Sequence, residues 1–577
     1  MTMDKKKDVC IKPMPQDMVD IFLPGGKVVC GPRGSTVEEF LKALPDWEDQ
    51  QIVGAIINGE LRELTYPIKR EADVLPINMA DPDGARIYRR SLIYLLEAAY
   101  EELFGEGVLT VDHSVSSGGF FCQVMGRKPL TDEELQQLES HMRTLVERDL
   151  PIERTQVPLR EAVAFFADNG QADKVQLLKY RQKPHLMMYR LAEHRDYHHG
   201  YMVASTGYLR WFALSALEEG FILRFPRRHH PREIQPAPES LNLIATFREY
   251  GNWLERLGVS SIGALNEAIE ANRIREVVLV SEALHEMRIA EIAREIVQHP
   301  EKSLIVIAGP SSSGKTTFSK RLAIQLLAQG ISPFALEMDN YFVDRVKTPL
   351  GEDGKYDYES IRALNTKALG EHLQRMMAGD EVQLLHYNFK AGVSEPGEVV
   401  RLVSDQLIIL EGIHGLNPNL LTDVPAERIF RIYISALTQL NLDRQNRIST
   451  TDTRLIRRIV RDARERGYSA SQTIGQWESV RRGEKRNIFL YQNNADEMFN
   501  SALVYELAAL KPLAEPILRQ VPHGSPEHIE AKRLLALLEW FLPMDVDLIP
   551  DNSLLREFYG GSILKEFKLW EETAFHA

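Results

Sequence analysis

Two hydrophobic rhythms alternate along this chain, and the changes between them mark its parts. From Val19 to about Asn78, strand-like apolar runs (Val19-Asp-Ile-Phe-Leu and Ile52-Val-Gly-Ala-Ile-Ile) surround a helix-like stretch, Thr36-Val-Glu-Glu-Phe-Leu-Lys-Ala-Leu. Thr36 followed by Glu39 is a capping box, in which each side chain satisfies a backbone N–H at the start of a helix. A small α+β module is expected from this mixture. Residues 81–235 mix both periods, with amphipathic helices expected at Leu92–Phe104 and Asp132–Glu147. The proline-studded Pro226–Pro238 reads as a linker, and helical periodicity fills Leu241–Val297. Beyond it, short buried-looking runs such as Leu304–Ala308 and Gln406–Glu411 interleave with helical stretches, the α/β pattern of a parallel sheet. The expected order is a polar tail (1–17), the small module (18–80), a mixed α+β domain (81–235), a helical linker (236–300), an α/β domain (301–545) and a C-terminal tail (546–577).

Composition acts mainly by exclusion. At 577 residues the chain is too long for one core, so three or four domains are the natural expectation. A net charge of −13 weighs against a general nucleic-acid or membrane-surface binder, although a local basic patch remains compatible with it. Cys10, Cys30 and Cys122 are scattered without CxxC spacing, which indicates neither a disulfide framework nor a zinc ribbon. No apolar signal core opens the chain and no run approaches membrane-spanning length, so a cytoplasmic protein without a membrane partner is expected.

The strongest chemical signal is Gly309-Pro-Ser-Ser-Ser-Gly314-Lys315-Thr316, between the apolar run Leu304–Ala308 and the helix-compatible Thr317-Phe-Ser-Lys-Arg-Leu-Ala. Strand, glycine-rich turn and helix N-terminus are the context a phosphate-binding loop requires. Glycines let the backbone wrap a triphosphate so that the N–H groups of Ser311, Ser312, Ser313 and Thr317 point at oxygens, and the helix N-terminus adds favourable partial charge. Lys315 reaches the outer phosphates and the Thr316 hydroxyl suits Mg²⁺, which implies a bound nucleoside triphosphate such as ATP. Two further apolar runs end in carboxylates: Ala335-Leu-Glu-Met-Asp339, and Gln406-Leu-Ile-Ile-Leu-Glu411. Acids at neighbouring strand ends suit complementary tasks, one orienting or deprotonating an attacking hydroxyl and the other holding Mg²⁺. Between Thr451 and Gly467, arginines including Arg454, Arg457 and Arg458 crowd one helix-like span beside an apolar stripe of Leu455, Ile456, Ile459 and Val460. Such a helix is expected to close as a lid over the triphosphate and neutralise its charge, with most of its arginines structural.

Gly309–Thr316, Asp339-Asn-Tyr-Phe, Tyr356-Asp357, Tyr387-Asn-Phe389, Glu411-Gly-Ile and the Arg454–Gly467 span occur in the order seen in the uridine kinase/phosphoribulokinase family, and over 301–510 the chain resembles its uridine–cytidine kinase branch. The resemblance implies transfer of the ATP γ-phosphate to a nucleoside 5′-hydroxyl. It assigns Asp339 as base, Lys315, Arg454 and Arg458 to phosphates, Thr316 with Glu411 to Mg²⁺, Asp357 to the ribose hydroxyls with Tyr356 beside it in the substrate site, and Tyr387 with Phe389 to the base pocket. A histidine that the family usually carries five residues beyond Tyr387 is replaced by Gly392, so base preference stays open. A sugar-phosphate or other alcohol acceptor is the competing enzyme reading, although no basic cluster stands out between 340 and 400.

Residues 18–80, through Val53-Gly-Ala-Ile-Ile-Asn-Gly-Glu-Leu, resemble the ubiquitin-like TGS module of threonyl-tRNA synthetases. Residues 81–230, through Asp83-Gly-Ala-Arg-Ile-Tyr-Arg-Arg-Ser-Leu, Glu139-Ser-His-Met-Arg and Pro151-Ile-Glu-Arg, resemble their α+β editing domain. The editing His-x₃-His pair is replaced by Arg90 and Tyr94, and no counterpart of the later Cys-x₃-His pair is recognised, with His113 and His198-His199 the histidines available. Aminoacyl hydrolysis is therefore expected to be lost. Regulation, homo-oligomerisation and RNA or tRNA contact remain the candidate roles of this half, and an ATP-switched RNA-binding protein is the reading from outside the enzyme classes.

Overall fold

The computed structural model describes residues 17–115, 118–235, 241–351, 354, 356–403, 406–438 and 440–567. The expected N-terminal tail apart from Asp17, the end of the Pro226–Pro238 linker and the last ten residues lie outside the described residues. Two compact units emerge, one of Met1–Leu109, Cys122–Val157 and His185–Pro236, the other of Thr110–Phe121, Pro158–Pro184 and Ala237–Ala577.

In the first unit, five strands pair in the order Val28–Pro32, Met18–Phe22, Ala72–Asn78, Ile52–Ile57 and Glu60–Arg62. Val19, Ile21, Ile52, Ala55, Ile57 and Val74 turn inward against Val37, Phe40 and Leu41 of the helix Val37–Leu41. The Thr36–Glu39 capping box forms as expected, with both reciprocal hydrogen bonds in place. Next comes a helix, Pro82–Leu103, ten residues longer at its start than the apolar pattern alone indicated. Pro82 sits at its first turn, where a missing N–H costs nothing, and that start signal precedes the apolar stripe. The helix Asp132–Glu147 keeps its expected bounds, with a capping box of Thr131 and Glu134.

The second unit is built on a parallel sheet of five strands in the order Pro333–Glu337, Leu407–Glu411, Leu304–Ala308, Ile429–Ser435 and Glu497–Asn500. Every residue of Leu304–Ala308 is buried, because helices cover both faces of a parallel sheet. Leu336, Met338, Leu369, Leu373, Ile408 and Leu410 form the core on one side. The stretch expected as a helical linker forms the helices Leu241–Leu257, Ile262–Glu270 and Ile274–Gln298, and it belongs to this unit: Leu243 and Phe247 share a core with Ala308, Tyr433 and Leu437. Residues 546–567, expected as a tail, are likewise packed, with Leu554, Leu555, Phe558 and Leu564 buried. His113 is buried here too, its ring stacked 4.0 Å from that of Phe247, and burial pushes its imidazole down to about 3; it is a core residue.

Candidate functional site

The site grows from the carboxyl edge of the parallel sheet. Leu304–Ala308 leads into the loop 309–314, and the helix Lys315–Ala328 starts directly after Gly314. Gly314 takes a φ of +87° and Leu554 lies where a Cβ would stand, so backbone conformation and close packing both require glycine. Gly309 approaches the Ile434 carbonyl so closely that a side chain has no room. Ser312 adopts a left-handed φ of 57°, and the buried hydroxyls of Ser312 and Ser313 have no hydrogen-bond partner. These are donors prepared for a ligand at a helix N-terminus.

Around the loop, long-range pairings hold its backbone. Arg454 Nε donates to the Ser311 carbonyl at 2.8 Å and its guanidinium pairs with Glu484, which also accepts the Ser311 N–H at 2.9 Å. Arg457 pairs with Glu506 at 2.6 Å and donates to the Ser501 carbonyl at 2.8 Å. Arg458 Nη1 donates to Ser311 Oγ at 2.9 Å, while its Nε faces Asp462. The helix Thr450–Glu465 forms where the arginine run lies, but Arg454 and Arg457 are buried rather than displayed on a lid surface. Their charges lie in the interior because Glu484 and Glu506 pair with them there.

The acids meet at this loop. Thr316 Oγ1 donates to Glu411 Oε1 at 3.0 Å, so the two residues assigned to the cation are in contact. Glu337 and Glu411 are register partners on adjacent strands, which places Asp339, in the turn Met338–Tyr341, just beyond the same edge. Burial pushes the Glu411 carboxyl up to about 7; Glu557 and Glu337 add to this, while Lys315 and the Thr316 hydroxyl oppose it. Solvent reaches the Asp339 side chain, yet the protein around it desolvates the carboxyl and raises it against the pull of Lys315 and Arg466. Lys315, whose Nζ lies 3.4 Å from the Pro310 carbonyl, acts on both acids and is the charge they share.

Beside Asp339 stands an aromatic cluster. Tyr387 lies near the end of the strand Val382–Asn388, and its N–H reaches Asn340 Oδ1 at 3.4 Å, tying that strand to the Asp339 turn. The Tyr387 ring lies 5.0 Å from Phe389 and 5.6 Å from Phe342, with Phe389 exposed and the buried Tyr387 hydroxyl lacking a hydrogen-bond partner. Tyr356 is exposed and contacts Tyr358 at 6.2 Å. Asp357 caps its own turn, accepting the Glu359 N–H at 3.2 Å.

Three participants of this site, and a histidine pair of the other unit, escape the sequence pattern. Glu359 packs against Gly483; burial and the Glu484 charge push its carboxyl up to about 7, against Arg458 and Lys315. Glu557 Oε2 accepts the Thr317 N–H at 3.1 Å, placing a carboxylate from a segment 240 residues away at the start of the loop's helix. The Arg345 guanidinium fills the space over Gly392, where an added Cβ would meet Cζ at 2.7 Å, and it donates to the Phe389 carbonyl at 2.7 Å. In the other unit, His194 and His198 share the x₃ spacing that the sequence reading did not find, and their rings lie 4.9 and 5.4 Å from that of Tyr94. Only Gly392 offered a local signal, a glycine where a large side chain approaches.

Comparison with known proteins agrees with this architecture. Residues 304–503 match the model of the phosphoribulokinase/uridine kinase family, and residues 19–76 match the TGS domain model. The N-terminal region matches threonine–tRNA ligases: that of Azoarcus sp. (strain BH72) is 31% identical over 201 residues, covering 35% of this chain and 31% of the ligase. That of Thermus thermophilus is 33% identical over 150 residues, 25% of this chain and 23% of the ligase. The chain thus spans about a third or less of the length of these relatives. A solved structure, that of a possible uridine kinase from Bacillus stearothermophilus, aligns with 37% of this chain and 97% of its own at 19% identity and a TM-score of 0.26. No helix among the described residues is long and apolar enough to cross a membrane. The chain therefore carries a phosphoribulokinase/uridine kinase family segment at 304–503 and a TGS domain at 19–76.

Proposed function

We propose that the second unit transfers the γ-phosphate of ATP to the 5′-hydroxyl of a nucleoside, uridine or cytidine. The observation that carries this reading is the Thr316–Glu411 contact beside the phosphate loop, with Asp339 in the turn just past the neighbouring strand and an aromatic cluster next to it. The loop N–H groups, Lys315 and Arg458 bind and orient the triphosphate, and Arg454 holds the loop in shape through Ser311. A hydroxyl and a carboxylate are hard oxygen donors suited to Mg²⁺, so Thr316 and Glu411 would hold that ion. When bound, that ion would supply charge neutralisation to the triphosphate. Asp339, with its affinity for a proton raised by desolvation, orients the acceptor hydroxyl and takes its proton at the carboxylate. Tyr387 and Phe389 receive the planar base, and Arg345 stands where the base edge is read. Asp357 faces the ribose hydroxyls in this reading. The Glu557 carboxylate on the Thr317 N–H must yield to a phosphate oxygen or share the site with the cation.

For the first unit, the match to threonine–tRNA ligases supports contact with tRNA or another RNA in the cytoplasm. ADP release across a panel of nucleosides and sugar phosphates tests the proposal. Turnover with uridine or cytidine supports it, and turnover confined to sugar phosphates transfers the chemistry to the other acceptor class.

A further inference from the structure

The helix Ile274–Gln298 lies outside the matched segments 304–503 and 19–76, and it is apolar on two opposite faces. One face belongs to the core of the second unit, where Val278, His285, Ile289 and Ile292 are buried. Along its edge, Glu282 and Glu286 hold Arg321 of the helix Lys315–Ala328 at 3.5 and 2.7 Å, which fixes the helix in rotation. The opposite face is open to solvent: Leu279 is 63%, Met287 50% and Val280 43% exposed, with Ala283 exposed beside them. An ordinary surface helix carries polar residues there, so an apolar outer stripe marks a surface that a second partner covers.

We propose that this face docks on the same face of a second copy of the chain, the two helices running antiparallel about a two-fold axis. The outer stripe reads Glu276, Val280, Ala283, Met287, Ala290 and Arg294, at alternating spacings of four and three, and it complements itself when reversed. With the axis passing between Ala283 and Met287, Ala283 meets Met287 of the second copy, Val280 meets its Ala290, and Glu276 meets its Arg294. Each contact recurs by symmetry on the other side of the axis, the reciprocity that a two-fold interface demands. A small residue faces a larger one in both apolar layers, so the helices can approach closely. Charge decides the orientation: a parallel pair in register would set Glu276 against Glu276 and Arg294 against Arg294. Glu276 is 67% exposed and pairs with the equally accessible Arg273 at 3.3 Å, an exposed pair worth little in water, and Arg294 is exposed as well. Glu286, which lies close to the axis, is already neutralised by Arg321 and does not repel its own copy. From Glu276 to Arg294 the stripe is about 27 Å long, and one helix pair of that length buries less than a standard interface, so a reversible dimer is expected.

The test is sedimentation equilibrium of the full chain over a concentration series, with a melting curve for each variant to show that it is folded. The wild type should pass from monomer to dimer at concentrations on the order of 1–100 µM. Met287→Glu, which puts a carboxylate into the apolar centre, should leave a monomer throughout that range. Glu276→Arg and Arg294→Glu should each weaken the dimer by about tenfold or more, because both ends of the interface become like-charged at once. The double variant should recover the wild-type dissociation constant, and so should an equimolar mixture of the two single variants, whose facing ends are again opposite in charge. A wild type that stays monomeric over the whole range overturns the proposal and gives the stripe to a different partner. A dimer indifferent to Met287→Glu and to both charge reversals places the contact on another face. Weakening by the single reversals without recovery in the double variant or the mixture overturns the antiparallel pairing.

Discussion

Acidification should weaken the cation's hold on the kinase site within a narrow pH window, and Glu411 sets that window. Its carboxyl is pushed up to about 7, chiefly by burial, and it must be ionised to ligate Mg²⁺. One pH unit below that value about a tenth of the sites are ionised, and one unit above about nine-tenths. The apparent Mg²⁺ affinity should therefore fall roughly tenfold between about pH 8 and pH 6, or about 1.4 kcal/mol. The assay is initial velocity against free Mg²⁺ at fixed ATP, run side by side on wild type and Glu411→Gln. The ratio of the two proteins at each pH cancels the titration of the nucleotide itself. The variant should be slow at both ends and lose most of the pH dependence. Stability carries the opposite sign. A carboxyl whose folded pKa is raised contributes stability that is present below its unfolded value near 4.5 and lost as pH rises through about 7. Glu411→Gln should therefore raise the melting temperature most at alkaline pH. A wild-type Mg²⁺ dependence that is flat across this window, or unchanged in Glu411→Gln, refutes the assignment.

Asp339→Asn keeps the shape but cannot take the hydroxyl proton, so kcat should drop by about 10²–10⁴ with little change in either KM, as steady-state kinetics will report. If Asp357 holds the ribose, uridine should exceed 2′-deoxyuridine in kcat/KM by roughly tenfold to a few hundredfold, from an unpaired polar group costing about 1–3 kcal/mol. Asp357→Ala should erode that preference by slowing the ribonucleoside; an undiminished preference would reduce Asp357 to the turn cap it forms with the Glu359 N–H. Gly314→Ala should lower both ATP affinity and stability, by about 1–3 kcal/mol in chemical denaturation, because its Cβ meets Leu554 at a left-handed φ. Wild-type stability in that variant would mean that the C-terminal segment does not pack on the loop.

The parts of the fold that were readable in the sequence are those with local causes. The Thr36–Glu39 cap, the bounds of Asp132–Glu147, the strand–loop–helix at Leu304–Ala328 and Glu411 at its strand end each follow from residues a few positions apart, whereas the strand before Asp339 ends at Glu337 and leaves Asp339 in the turn beyond. The parts that were not readable depend on partners far along the chain. The arginine helix looks like an exposed charged surface until Glu484 and Glu506 arrive to pair Arg454 and Arg457 in the interior. Glu557 reaches the phosphate loop from a segment whose composition suggests a tail. Similarly, the motif drew attention to Asp357, whereas Glu359 is the neighbour that senses Lys315 and Arg458, because Gly483 lets it approach. Histidines spaced as His194 and His198 are carry no periodic signal on a strand and loop; only Glu97 and Tyr94 on the facing helix bring them together.

The most direct test of the central claim identifies the product. Wild-type chain, ATP and Mg²⁺ with uridine or cytidine should yield ADP and nucleoside 5′-monophosphate in equal amounts by mass spectrometry and ³¹P NMR, and Lys315→Ala, correctly folded, should yield neither. ADP formed without a phosphorylated nucleoside, or near-normal turnover by Lys315→Ala, would contradict the account.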